Sequence, residues 1–343
     1  MPRISLSDET GLLPQLRLSG SAVFEKDAEG VYVYETIATD QGIVATGSNC
    51  KVKFFDPSAL QEVASIRHHT EQITQTRIRG NTLLTSSLDG TIAIWDLRQQ
   101  SKKPTLGFTA DSALLSFDLG LDERLLVGGS ELNDNYRHAS ICFWDMRSGG
   151  APAKSFTNIH SNDVSQIHCS KKTASLVLSA STDGLVCTLD AMQQNDENNG
   201  EEDDVLGYVM NTGASVAHCG FFGFDEQFIY AQSDMETLQL WSADATLLVD
   251  FGDMRESADS GVPLDYMAAF HYDDQTQRLF MAAGRDNGDL HVLHVGAGSL
   301  DYVQTLSGGH SAIVRSYNWA PQLGGVVTGG EDGRLCLWQP LES

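Results

Sequence analysis

Three sets of His, Ser/Thr and Asp punctuate the chain: His69, Thr85 and Asp89; His160, Ser179 and Asp183; His310, Thr328 and Asp332. A histidine between a hydroxyl and a carboxylate is the chemistry of acyl transfer, in which the imidazole takes the hydroxyl proton and the carboxylate orients the ring. The repetition argues the other way. An enzyme needs one such site, whereas buried polar groups that satisfy one another recur wherever the same structural unit recurs. No Gly-x-Ser-x-Gly elbow and no Gly-x-x-x-x-Gly-Lys-Ser/Thr loop accompanies the sets. His291 and His294 resemble a metal pair, but three residues apart on a strand they point to opposite faces. Neither they nor His68 and His69 have a third ligand nearby in sequence. The chain is therefore expected to be no enzyme and to hold no metal or cofactor.

The elements that carry these residues form a repeat. Residues 83–96 read LLTSSLDGTIAIWD, 176–190 read LVLSASTDGLVCTLD, and 326–338 read VVTGGEDGRLCLW. Each is an apolar strand, an Asp-Gly turn and an alternating strand. Asp-Gly between two such runs is a strong hairpin signal because the turn needs positive φ. The hydroxyl lies four residues before the Asp. The strand closes six residues after it, on Trp95, Leu189 and Trp338. Weaker copies end at Phe55, Trp144, Trp241 and Leu293. The first has Asn49 for the Asp, and the second has an insertion around Asn133–Ala139.

These spacings resemble the WD-repeat family, whose blades have four antiparallel strands and run roughly 40–45 residues. The resemblance implies an all-β, seven-bladed propeller. It also implies a buried network of His69, Thr85, Asp89 and Trp95, repeated at His310, Thr328, Asp332 and Trp338 and, without its Trp, at His160, Ser179 and Asp183. Even spacing predicts one propeller over residues 1–343. Its blades fall near 21–62, 63–103, 104–154, 155–196, 205–250, 260–298 and 299–343, the last completed by an N-terminal strand at 12–18 that leaves no free sheet edge. Val31–Ile37 is expected to open the first blade.

Acidic residues number 46 against 22 basic, a net charge of −24, with pI near 4.6. Direct binding to nucleic acid needs a basic stripe and is not expected; nor is an anionic membrane surface. Asn195–Asp204 holds six of the acids and is read as a disordered acidic loop. The six scattered Cys lack Cys-x-x-Cys spacing and read as reduced thiols. The N-terminus lacks an apolar signal core, so cytoplasm and nucleus are both open. The propeller itself is expected to be monomeric.

Candidate binding residues come from Trp95-Asp96-Leu97-Arg98 and Trp144-Asp145-Met146-Arg147. This pair is similar to the double box of cullin-4 ubiquitin ligase substrate receptors, which implies that Arg98 and Arg147, with Asp96 and Asp145, contact the ligase adaptor. The alternative use of the same residues is purely local, each Arg pairing with its own Asp. A second reading takes the acidity at face value: an escort for a basic client such as a ribosomal protein or histone. The chain also resembles the WD repeat-containing protein 89 family, through 141–147, 160–166, 181–186, 195–204, 263–266 and 308–316 leading into 328–332. Together these readings imply a scaffold that binds other proteins.

Overall fold

The computed structural model describes residues 4–5, 13–26, 30–99, 101, 103–133, 138–192, 205–256 and 262–340. The fold is an all-β, seven-bladed β-propeller, and its sheets fall into two compact units.

The first unit comprises 1–73 and 253–343. Blade 1 has strands Val33–Thr39, Gly42–Gly47, Lys51–Phe55 and Glu62–Arg67; blade 6 has Tyr266–Asp273, Arg278–Gly284, Leu290–Val295 and Leu300–Leu306. Blade 7 takes Val314–Ala320, Gly325–Gly330 and Arg334–Pro340 from the C-terminus and its fourth strand, Leu16–Val23, from the N-terminus. Leu18 faces Trp338 across that antiparallel ladder. The closing strand thus lies a few residues past the expected 12–18, and residue 12 is outside the described set. A further strand, Ile4–Ser5, adds in parallel to the fourth strand of blade 6. Two residues carry no period, so nothing in the sequence announces it.

The second unit comprises 74–252. Its blades are Ile73–Arg79, Thr82–Ser87, Thr91–Asp96 and Leu106–Thr109 (blade 2); Leu114–Leu119, Leu125–Ser130, Ile141–Asp145 and Lys154–Phe156 (blade 3); Gln166–Cys169, Leu176–Ala180, Leu185–Asp190 and Leu206–Asn211 (blade 4); and Val216–Phe222, Phe228–Ser233, Thr237–Ser242 and Leu247–Asp253 (blade 5). The fourth strands of blades 1 to 6 all run past the blade ends read from sequence. The physical reason is that the strong signals, Asp-Gly and Trp, end with the third strand. The fourth is the exposed one, as in Glu62–Arg67, and little burial constrains its sequence. The acidic 195–204 segment lies outside the described residues.

Second strands are buried along their length, as in Gly42–Gly47 and Gly325–Gly330. Apolar cores fill the space between neighbouring sheets. One joins blades 2 and 3 through Leu84, Phe108, Phe117 and Trp144; another joins blades 3 and 4 through Phe143, Phe156, Val177 and Leu189.

The hairpin between second and third strands needs one residue in the left-handed region. Gly90, Gly184 and Gly333 supply it with φ of 77°, 88° and 71°. In blades 1 and 5 the same position falls to Cys50 (φ 62°) and Glu236 (φ 58°), each closing the same turn with its N–H on the carbonyl three residues back. A side chain there costs about 1 kcal/mol, and it hides these two repeats from a search for Asp-Gly.

Candidate functional site

In blade 7, Nδ1 of His310 lies 3.1 Å from Asp332 Oδ1 and Nε2 lies 2.7 Å from Thr328 Oγ1. The Trp338 indole N–H donates to the same hydroxyl at 2.8 Å. An indole can only donate, so the Thr328 oxygen accepts from it and its own proton is free to go to Nε2. The proton of the ring then sits on Nδ1 and points at Asp332. Blade 4 repeats the set: His160 lies 3.2 Å from Asp183 and 2.9 Å from Ser179, and Leu189 fills the Trp position, buried.

The carboxylates are also turn-makers. Asp183 accepts the N–H groups of Ser161 and Leu185, each at 2.9 Å; Asp332 accepts those of Ser311 and Arg334. Burial alone would raise the Asp183 pKa, but the His160 hydrogen bond and the two backbone donors prevail and hold it near 2. Asp332 is lowered by the same balance, with His310 the leading favourable partner. In blade 2, His69, Thr85 and Trp95 are buried, and Asp89 bonds to Thr91 through backbone N–H (3.0 Å) and hydroxyl (2.6 Å).

In blades 4 and 7 the polar atoms of the set are committed to one another and to backbone N–H groups. They hold hairpins to inter-blade connections. Among the described residues no group of three or more His, Cys, Asp or Glu is placed to hold a metal ion. His291 and His294 turn to different partners, Thr305 and Asp301.

The Asp-x-Arg pairs form the exposed candidate site. The Arg98 N–H also bonds to Asp96 Oδ1 (3.0 Å), while Nε and Nη2 reach Oδ1 and Oδ2 at 2.8 and 2.7 Å. Arg147 does the same with Asp145, at 2.9 Å through backbone N–H and through Nε, and at 2.5 Å through Nη2. Both guanidinium side chains remain 72% exposed. Hydrogen bonds from the Arg lower each Asp to about 2. A fork of this kind uses two of five N–H donors and leaves the outer edge free for a carboxylate or carbonyl. A third fork, Arg255 on Asp253, follows a fourth strand and escaped the sequence reading because no Trp precedes it. Its signal was the tripeptide Asp-Met-Arg shared with 145–147.

In all four blades of the second unit the turn after the third strand bonds to the turn after the first: Leu97 to Asn81, Met146 to Arg124, Ala191 to Ser175, Ala243 to Gln227. That fork end mixes the exposed cations Arg98, Lys103, Arg124, Arg147, Lys171 and Lys172 with the acids Asp96, Asp122, Glu123, Asp145, Asp190, Asp225, Glu226 and Asp244. The opposite, tetrad end carries Asp89, Asp111, Glu131, Asp163, Asp183, Asp234 and Glu236; Arg255, which follows the fourth strand of blade 5, is paired there with Asp253.

With this geometry in hand, a model of the WD domain, G-beta repeat, matches residues 60–96 and 300–339. The chain belongs to the WD-repeat family of β-propellers. Within it, the chain is similar to the WD repeat-containing protein 89 homolog of Dictyostelium discoideum, 26% identical over 313 residues that cover 90% of this chain and 82% of that protein. WD repeat-containing protein GTS1 of Arabidopsis thaliana is 30% identical over 321 residues, covering 88% and 78%. An uncharacterized WD repeat-containing protein of Schizosaccharomyces pombe is 27% identical over 202 residues, covering 58% and 60%. Membership is consistent with a protein-interaction scaffold. Among the described residues no helix is long and apolar enough to cross a membrane.

Proposed function

We propose that this chain is a non-catalytic scaffold that docks onto the adaptor of a cullin-4 ubiquitin ligase through Arg98 and Arg147, in the cytoplasm or nucleus. The observation that carries the reading is the pair of matching forks on consecutive blades. Each Asp fixes its Arg, so that little side-chain freedom is lost when a partner binds. The test is affinity capture of the wild-type chain beside Arg98→Glu/Arg147→Glu, with mass spectrometry of both. Cullin-4 and its adaptor should accompany the wild type and be absent from the variant; their absence from both sinks the reading.

A second reading is favoured by the acidic tetrad end of blades 2–5. An end with these seven acids, where Arg255 is already paired with Asp253, suits a basic client, and its capture should weaken as salt rises. Reversing Asp111, Glu131 and Asp234 to Lys should release such a client, and an unchanged capture would exclude this surface.

A further inference from the structure

The fork end of blades 4 and 5 holds a second arrangement, independent of the Arg forks. The turn after the first strand of blade 4 is Ser170–Ser175, and its counterpart in blade 5 is Gly223–Gln227. The two are stapled together. The buried Ser170 hydroxyl bonds to the Glu226 carboxylate, whose other oxygen accepts the Lys171 N–H at 2.9 Å. The Ser170 oxygen also receives the N–H groups of Lys172 (3.0 Å) and Thr173 (2.8 Å). Glu226 adopts φ of 55°, a conformation a non-glycine residue keeps only where its surroundings impose it.

The staple presents three groups outward. The Lys172 ammonium lies 5.0 Å from the centroid of the Phe224 ring, which is 58% exposed. Lys171 stands beside it, exposed. Among the described residues neither Lys has a carboxylate partner, unlike Arg98 and Arg147. Two ammonium groups outside any ion pair beside an exposed aromatic ring, held by a braced pair of turns whose Glu226 carboxylate is spent on Ser170 and the Lys171 N–H, have the make-up of a binding hot spot: an apolar anchor point with charge at its rim.

The chemistry fixes the occupant. Lys171 and Lys172 call for carboxylates and Phe224 for an apolar side chain. On a chain of net charge −24, an acidic partner is repelled from most of the surface and favoured only where cations gather. We propose that Lys171, Lys172 and Phe224 form a docking site for an acidic protein segment that carries an apolar anchor residue.

The test uses a fluorescein-labelled peptide, Gly-Glu-Glu-Asp-Leu-Trp-Glu-Glu-Asp-Gly, titrated with the full chain. Two further peptides replace every acid with Lys, or Leu-Trp with Ala-Ala. The acidic Leu-Trp peptide should bind most tightly, and its affinity should fall at least tenfold for Lys171→Glu/Lys172→Glu and severalfold for Phe224→Ala. Arg98→Glu/Arg147→Glu should leave it unchanged, so the site stands or falls apart from the adaptor reading. All the replaced side chains are exposed, and unchanged thermal unfolding will show that the variants fold. Equal binding of the acidic and lysine peptides, or wild-type affinity in the Lys reversal, would overturn the proposal. Binding indifferent to Phe224→Ala would overturn its apolar half.

Discussion

The indole N–H of Trp338 donates to the Thr328 hydroxyl at 2.8 Å, and two other Trp residues at the matching strand position have no such acceptor. Trp338 pairs across the ladder with Val326, Trp144 with Leu126 and Trp241 with Ile229. Two residues along the second strand lie Thr328, Gly128 and Ala231. Where the hydroxyl is missing, the buried Nε1 of Trp144 and of Trp241 has no hydrogen-bond partner. Thr328→Val should therefore cost about 1–3 kcal/mol, since it orphans the indole and one His310 nitrogen. Thr328→Ser, which keeps the hydroxyl and loses only a methyl, provides the packing control. Urea unfolding of both variants measures the difference, and equal losses would show that the bond adds nothing beyond packing.

Acid should unlock the His160–Asp183 set. Asp183 is held near 2 in the folded chain, against about 3.9 when unfolded. A depressed carboxylate stabilises the fold above its unfolded pKa, and that contribution is lost as pH falls from about 4 to 2. It amounts to about 2 kcal/mol. Asp183→Asn should lose about that much at pH 7, and its urea midpoint should fall less than that of wild type between pH 4 and 2. A parallel pair of curves would exclude the linkage.

His168 acts at milder pH. On the first strand of blade 4, its Nε2 is closed off and unpartnered. Burial pushes its pKa down to about 4, with Asp118 opposing and Arg77 assisting. The unfolded chain takes up this proton near pH 6.5 and the folded chain does not. Stability must then decline as pH falls from about 6.5 to 4. His218, on the neighbouring first strand of blade 5, is lowered by burial as well and adds to the slope. His168→Gln should flatten the stability profile in that window without changing it from pH 7 to 8; an unaltered slope would mean that His168 is protonated alike in both states.

Much of this was legible where local chemistry and global fold demand the same residue. Asp-Gly marks a hairpin and a closing Trp marks the buried third strand, so blades 2 and 7 were plain from sequence. Blades 1 and 5 were faint because Cys50 and Glu236 take the left-handed position without glycine. Fourth strands were misplaced because they are exposed on one side and edge the sheet. The exposed Arg pairs could be found by their repetition, and the pairing of each Arg with its own Asp was one of the two uses the sequence offered; that the guanidinium stays exposed in the pair was not legible. The Lys171, Lys172 and Phe224 arrangement was beyond reach: its residues lie about fifty apart in sequence and meet through contacts between blades, Ser170 and Lys171 with Glu226 and Lys172 with Phe224.

A neighbouring glycine sets the packing of the tetrad in blade 7. A Cβ on Gly309 would stand 2.5 Å from Cζ2 of the Trp338 ring and 3.2 Å from Cys336 Sγ. Both neighbours are buried and cannot swing aside. Gly309→Ala should displace Trp338 from Thr328 and cost about 1–3 kcal/mol. Gly308→Ala is a sterically open comparison, with nothing within 4 Å, though its φ of 80° adds backbone strain. Near-ultraviolet circular dichroism should report the moved indole for Gly309→Ala alone; identical spectra for the two variants would mean the ring accommodates the methyl.

The last expectation separates charge from geometry at the forks. Asp96→Ala/Asp145→Ala removes two acids and makes the fork end less acidic. If the adaptor were drawn by charge alone, capture would rise. In the fork model the carboxylates hold Arg98 and Arg147 in place, and their loss frees two long side chains that must be ordered again on binding. Affinity should then fall by roughly twofold to tenfold per fork despite the favourable charge. Arg98→Lys/Arg147→Lys, which keeps the charge and loses the planar two-pronged contact, should weaken binding in the same sense. Surface plasmon resonance against the purified adaptor decides it: tighter binding by the Asp variants would leave attraction by charge as the whole account.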